Sequence, residues 1–576
     1  MSYRAPVEEI AFYARIVGQD QLAGTERFAE ATEETRAAIL DEAAKMCEGA
    51  LAPVQRAGDL HPARLENGVV RCSPGYKEAY EAIAEGGWVG ISAGPDHGGM
   101  GLPISMATMV NEMMSSACLS LSLCPLMSQG QIEALEAHAS TEIQELYLPK
   151  LISGEWTGTM NLTEPQAGSD VGALKTKAEA NGDGSYAITG QKIYISWGDH
   201  DVAENICHLV LARLPGSVAG TKGISLFIVP KLLPDENGNP GVANSLKPIS
   251  LEHKLGLHGS PTAVMDYDGA TGWMVGSENG GMAAMFTMMN NARLGVGVQG
   301  LGVAEAATQK AFAYAKDRKQ GRTPDGSDSI LGHADVRRML MTMKGLTQAA
   351  RAICYDCALS LDMAHAASDE ETRAAHAARG AFLTPIAKAF GTDTGSEVAS
   401  IGVQVHGGMG FVEETGAAQF SRDVRVTQIY EGTNGIQAMD LVGRKLMDGG
   451  AAARAVFAEI GQTATECSAA GGAIAEIGAS LGEALNACVR ATDHYLAAPD
   501  LNDRFAGSVP YLRMLALTLG THYLAKAALA APDDNMRSVM AQFFATQFAP
   551  QAVSLEPAAT QGAELLYALD EEQLSA

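Results

Sequence analysis

The chain has 576 residues, 47% of them hydrophobic and 19% charged, with a formal net charge of -26. That length predicts more than one hydrophobic core, three or four domains in all. So acidic a surface argues against non-specific attraction to nucleic acid or to anionic membranes, which select Lys/Arg-rich faces. A negatively charged small ligand held by local donors stays open. The 9 cysteines are scattered along the chain, as expected of reduced thiols rather than a disulfide framework. The N-terminal stretch carries acidic residues where a signal peptide needs an apolar run, and no apolar stretch is long enough to cross a bilayer. A cytoplasmic protein without membrane insertion is expected.

Apolar residues three and four apart predict helix from Asp20 to Cys47 and again from Tyr76 to Ile83, where Gly86 and Gly87 supply a stop. Pro95 to Leu102 reads as a tight turn leading into a Met-rich helix from Ile104 to about Met114, with further helix over Ile132 to Ile152. At Trp156 the texture changes. Gly184 to Ser196, Cys207 to Arg213 and Gly223 to Val229 are β-branched or alternating runs with Gly/Pro/Asn punctuation between them. Residues 156–275 are therefore expected to form a β barrel or sandwich. Helical spacing returns after Gly280 and Gly281, with a polar break at Pro324 to Ser329 and helices over Asp335–Met363, Thr372–Gly391 and Asp393–Val405. The expected fold class is multidomain α+β: an N-terminal helical domain (1–155), the middle β domain (156–275), a C-terminal four-helix bundle (276–449) and an extra C-terminal helical domain (450–576).

Some short motifs fail on context. Gly295, Gly297 and Gly300 fit the dinucleotide G-x-G-x-x-G pattern but lie inside a helical stretch with no preceding strand, so close helix packing is the expected use. Cys354 and Cys357 form a lone CxxC within a helix, without a second pair at zinc spacing. Asp235 to Pro240 resembles the start of a calcium loop, lacks the later Glu, and reads as a hairpin turn. His253 and His258 share a loop and read as surface or packing residues. No metal is expected.

The stretch from Gln404 to Arg444 carries the chemistry. It holds a glycine hinge (Gly407, Gly408, Gly410) and then Ile429-Tyr430-Glu431-Gly432-Thr433, a carboxylate with an apolar approach followed by glycine and a polar residue. A general base beside a cofactor needs such a setting, and burial would raise its pKa and strengthen it. An ordinary buried or paired glutamate is the competing reading.

Separated motifs converge on a family. Met160 to Asp170, with Thr163-Glu164-Pro165 and Gly168-Ser169-Asp170, resembles the TEPxAGSD signature of acyl-CoA dehydrogenases. Lys192-Ile193-Tyr194-Ile195-Ser196 resembles that family's flavin strand, which commonly reads K-x-W-I-T. Gln404 to Phe411 and Ile429 to Thr433 resemble its C-terminal GGxG(Y/F) and IYEGT motifs, and Pro95 to Leu102 its N-terminal glycine turn, one residue shorter here. The resemblance covers residues 30–445 in order.

What it implies is an FAD enzyme that oxidises an acyl-CoA thioester, Glu431 removing the α-proton and the flavin accepting the β-hydride. The backbone N–H of Glu431 and a ribityl hydroxyl of the FAD would stabilise the developing enolate. By the same resemblance Leu162, Thr163, Ser169, Tyr194, Ile195 and Ser196 bind FAD, as do Arg318, Gln404, Gly407, Gly408, Thr433 and Asn434. Ser169, Arg293 and Gly432 meet the substrate. Some relatives carry the base immediately before the arginine that is Arg293 here; that slot holds Ala292, leaving Glu431 as the family base position with a carboxylate. After Arg318 the sequence runs Lys319-Gln320-Gly321-Arg322 in place of the common R-x-x-F-G, which weakens the expected dimer-side FAD contact.

The departure after Arg318, the run Leu331 to Arg338, Asn434-Gly435 and the added C-terminal residues resemble a longer bacterial subgroup. Within it the opening Tyr3 to Val7 and the length most resemble enzymes that oxidise a 3-methylthio-propanoyl thioester in dimethylsulfoniopropionate breakdown. The resemblance implies electron transfer flavoprotein as acceptor and a homodimer or homotetramer. Medium- or long-chain acyl-CoA dehydrogenases, oxidases, and the family's non-catalytic DNA-associated members are the alternatives; overall acidity and an intact Glu431 oppose the last.

Overall fold

The computed structural model describes residues 3–324 and 326–576. The helices used below are α1 (Val7–Val17), α2 (Glu33–Met46), α3 (Tyr76–Glu85), α4 (Ile104–His138), α5 (Thr141–Ile152), α6 (Gly281–Asp317), α7 (Ala334–Ala366), α8 (Glu370–His406), α9 (Asn434–Asp440), α10 (Ala451–Ala470), α11 (Gly472–Ala497), α12 (Ser508–Ala530) and α13 (Asn535–Gln547). Two compact units result. One comprises residues 41–295; the other joins 6–40 to 296–576.

The first unit contains the β domain. Its strands are β1 (Trp156–Asn161), β2 (Lys177–Ala180), β3 (Tyr186–Ser196), β4 (Asn205–Ala212), β5 (Ser225–Pro230), β6 (Leu246–Leu251) and β7 (Thr262–Val275). They form a seven-stranded sheet in the order β1-β4-β5-β7-β3-β2, with β6 also on β7. Only the β1–β4 pair is parallel. The 14-residue β7 pairs with β3 along one part and with β5 at Trp273–Val275, changing register between Asp268 and Ala270. Such a shift bends a strand. Beyond β2, the backbone of Arg213 bonds Thr176 and Ala178, which carries the edge strand back to the end of β4 and curls the sheet toward a barrel. Inward residues Ile188, Val210, Phe227, Val229, Met265 and Tyr267 fill its core. The Asp235 turn is a hairpin: the Asp235 carboxylate accepts the backbone N–H groups of Asn237 and Asn239, each at 2.9 Å, between two short antiparallel strands.

Several boundaries differ from the sequence-based expectation. The Met-rich helix runs on to His138 as α4, with one non-helical residue at Cys118, because nearly all of it from Ser105 to Leu135 is buried and needs no polar face. The stop lies at Ser140, whose hydroxyl caps α5. Residues 20–47 are not one helix, since a 3-10 turn over Gln19–Gly24 precedes α2. The two helices expected over Thr372–Gly391 and Asp393–Val405 are the single helix α8.

In the second unit the chain's two ends meet. Arg537 of α13 donates to Glu9 of α1, Nη1 to Oε1 at 2.8 Å, and Gln348 of α7 donates to the same Oε1 at 2.6 Å. Arg379 of α8 bridges Asp356 of α7 at 2.9 Å and Glu459 of α10 at 2.6 Å, while the Tyr523 hydroxyl of α12 donates to Asp356. Residues 451–576 thus pack on the bundle through buried charge as well as apolar side chains. The glycines Gly297 and Gly300 of α6 mark a backbone-to-backbone contact with α8. A Cβ on Gly297 would fall 2.6 Å from the Ala387 carbonyl oxygen, and one on Gly300 2.3 Å from that of Gly391. In the other unit Gly295 similarly meets Leu126. The triplet is a packing device. Cys354 and Cys357 are buried in α7 and form no disulfide.

Candidate active site

The residues expected on the flavin side lie in the β domain, where a buried ion pair shapes their backbone. Lys192, with a fully buried side chain, donates to the Leu162 carbonyl at 3.0 Å and to Glu164 Oε1 at 2.9 Å. Glu164 also accepts the Thr176 hydroxyl and the backbone N–H groups of Lys175 and Thr176. Burial alone would raise the Glu164 carboxyl, but the Lys192 charge and these donors hold it well below the usual range. The Thr163 carbonyl accepts Ile193 N–H at 2.9 Å, which places the end of β1 beside that of β3. Glu164 and Lys192 therefore fix the turn that carries Leu162 and Thr163, a role the sequence did not disclose.

Tyr194 presents an open aromatic ring there, 62% exposed and held at φ +60. Trp197, at φ +55, is buried and donates its indole N–H to the Ser120 carbonyl at 3.2 Å. Left-handed conformations at bulky residues cost of order 1–3 kcal/mol and persist where the surroundings impose them. Ile195 is buried; Leu162, Thr163 and Ser196 are half-buried and Ser169 exposed. An open aromatic ring with the Thr163 and Ser196 hydroxyls at adjoining strand ends fits a flat, polar-edged isoalloxazine. In the same unit Arg293 is buried on α6, and Ala292 beside it is buried too.

In the second unit Glu431 occupies a left-handed turn, at φ +56, followed by Gly432 at φ +83. The Gly432 position favours glycine by its conformation, and a Cβ there would lie 2.9 Å from Gln437 Nε2. Gln437, fully buried, donates to the Glu431 carbonyl at 3.2 Å. Thr433 caps α9 through its hydroxyl, which accepts Ile436 N–H at 3.3 Å. Tyr430 donates to Gln299 Oε1 at 2.5 Å, and burial pushes its phenol up, so it stays a neutral donor. Glu431 itself is half-buried within the chain, short of the burial expected for it.

Asn434 is turned into α8. Its amide donates to Asp393 Oδ1 at 2.7 Å and to the Thr392 hydroxyl at 3.0 Å, and its oxygen accepts Lys388 Nζ at 2.9 Å. A cleft of about 470 Å³, lined by Asp393, Gln428, Asn434, Leu512 and Arg513 among others, adjoins this network. Gln404 is exposed at the end of α8, and Gly407 (φ +58) and Gly408 begin the exposed turn after it. Gly410 closes that turn, since a Cβ there would lie 2.1 Å from the Val403 carbonyl oxygen. Arg318, exposed after α6, accepts Ile330 N–H on its carbonyl at 2.8 Å. Among the described residues no group of acidic, His or Cys side chains has metal-binding geometry, and no helix is long and apolar enough to cross a membrane.

Four family descriptions match in chain order: "Acyl-CoA dehydrogenase, N-terminal domain" over residues 32–155, the middle domain over 159–270, the C-terminal domain over 279–447 and "Acetyl-CoA dehydrogenase C-terminal like" over 456–570. The chain belongs to the acyl-CoA dehydrogenase family, flavoprotein oxidoreductases that act on the CH–CH bond of acyl-CoA thioesters. It is 47% identical over 558 residues to 3-methylmercaptopropionyl-CoA dehydrogenase of Ruegeria pomeroyi, covering 95% of each chain. In fold it is similar to ACDH-11 of Caenorhabditis elegans in complex with C11-CoA (TM-score 0.81, 19% identity, covering 99% of this chain and 96% of that one). It also resembles an acyl-CoA dehydrogenase from Bacillus anthracis complexed with FAD (TM-score 0.75, 21% identity, 95% and 91%).

Proposed function

We propose that this acyl-CoA dehydrogenase converts 3-(methylthio)propanoyl-CoA to 3-(methylthio)acryloyl-CoA in dimethylsulfoniopropionate breakdown, with Glu431 as the base. The observation that carries the base assignment is the left-handed Glu431–Gly432 pair, held in a strained conformation by buried donors. The relative that matches along nearly the whole chain supports the choice of acyl group. Leu162, Thr163, Ser169, Tyr194, Ile195 and Ser196 would hold FAD, together with Arg318, Gln404, Gly407, Gly408 and Thr433, and with Asn434 through its backbone. When bound, FAD supplies the acceptor for the β-hydride.

The chain's own part is to take the α-proton on the Glu431 carboxylate and to offer the Glu431 backbone N–H to the thioester carbonyl as negative charge develops there. Gly432 leaves room for the thioester, Ser169 meets the CoA moiety, and Arg293 supplies a substrate-side cation. Electron transfer flavoprotein is the proposed acceptor, a homodimer or homotetramer the proposed assembly, and the cytoplasm the proposed location.

The test is turnover of a panel of acyl-CoAs by the purified protein, with and without oxygen. The expected result is a flavin absorbance spectrum, highest kcat/KM on the 3-methylthio-propanoyl thioester, and no peroxide. A preference for butyryl or longer chains would replace the substrate, peroxide production would indicate an oxidase, and absence of flavin would overturn the reading.

A further inference from the structure

We propose that Lys388 is a positioning residue for the base, acting through the backbone of Gly432; this rests on Glu431 being the base. Lys388 lies on α8, is 0% exposed, and donates from Nζ to the Gly432 carbonyl and to Asn434 Oδ1, both at 2.9 Å. A lysine ammonium is almost never fully buried unless paired, because its desolvation is costly. Here it sits beneath two consecutive left-handed residues, of which Glu431 gains nothing from that conformation by itself.

The geometry accounts for both facts. The Gly432 carbonyl can point at Lys388 only with the chain in this turn, so the two hydrogen bonds and the turn enforce each other. Asn434 completes the arrangement by passing the interaction to Asp393, whose carboxylate also accepts Gln428 Nε2 at 2.6 Å. Gln437 holds the other side of the turn at the Glu431 carbonyl. The direction of the Glu431 side chain is thereby set from α8, a rigid helix locked to α6 at the Gly297 and Gly300 contacts. Lys388 touches no reacting atom in this account.

Lys388→Met keeps the stem and removes the donors. It is expected to retain FAD while kcat falls about 10- to 100-fold and KM moves less than about threefold, the scale of a base displaced by an ångström. The discriminating readout is a double-mutant cycle with Glu431→Gln. If Lys388 acts through Glu431, adding Lys388→Met to Glu431→Gln lowers the residual rate no further; a general structural role would lower it again. Should Lys388→Met fail to fold or to hold flavin, Lys388→Gln, which can still donate to one carbonyl, is read in the same cycle with a smaller expected loss. Unchanged kcat in the variant that folds, or additive losses in the cycle, would overturn the proposal. Full activity of Glu431→Gln alone would instead overturn the base reading.

Discussion

Glu9 shows how much one carboxylate can organise. It receives Arg537 and Gln348, and although burial alone would raise its carboxyl, the Arg537 hydrogen bonds and the Arg351 and Arg537 charges bring it down to about 2 from 4.5. A depressed folded-state pKa contributes stability that is present above the unfolded value and lost as pH falls through the folded one. The window is therefore pH 4.5 down to about 2. Glu9→Gln is expected to lower stability by about 2 kcal/mol at pH 7. Its deficit relative to the unmodified protein should shrink as thermal unfolding is repeated toward pH 3. A deficit independent of pH would mean that shape, and not charge, holds α1 in place. Glu164 and Lys192 make the same point in the β domain, where a signature residue quoted for its family pattern turns out to be a clasp on the turn beside it.

Among the elements, the contact of α6 with α8 has the sharpest steric requirement. Gly300 faces backbone atoms of Gly391 and Thr392 that cannot rotate away, whereas nothing lies within 4 Å of a Cβ on Gly482 in α11. Gly300→Ala is expected to cost about 1–3 kcal/mol. It should also lower kcat, because α8 carries Lys388. Gly482→Ala should be neutral or stabilising, by up to about 1 kcal/mol, from helix propensity. Equal melting temperatures for the two variants would contradict this reading of the contact. That the glycine triplet packs helices was legible in the sequence, because no strand precedes it. That Thr372 to Val405 is one helix was not: Gly391 looks like a stop, and the neighbouring helix that makes a glycine necessary there is about ninety residues away. The extent of α4 was hidden for a related reason, since a helix buried all round loses its amphipathic stripe. The glycine turn and the strands around Tyr194 were readable from local patterns. Lys388 and the Glu164–Lys192 pair were not, because a buried charge is explained only by partners that the sequence keeps far apart.

At the scale of the molecule, an acidic chain with four family segments in order is an acyl-CoA dehydrogenase whose last segment packs on the helical bundle through Asp356, Arg379, Glu459 and Tyr523. The β domain offers an open aromatic ring and hydroxyls that suit a flavin, and the helical unit offers a carboxylate on a braced left-handed turn. What joins these features into a mechanism is the claim that Glu431 takes the α-proton. The most direct measurement is anaerobic flavin reduction by 3-(methylthio)propanoyl-CoA in rapid mixing, comparing the unmodified protein with Glu431→Gln. The account predicts that the variant retains FAD and still binds the thioester but is reduced at least about a thousandfold more slowly, the scale of a missing general base. Reduction at the unmodified rate would contradict it.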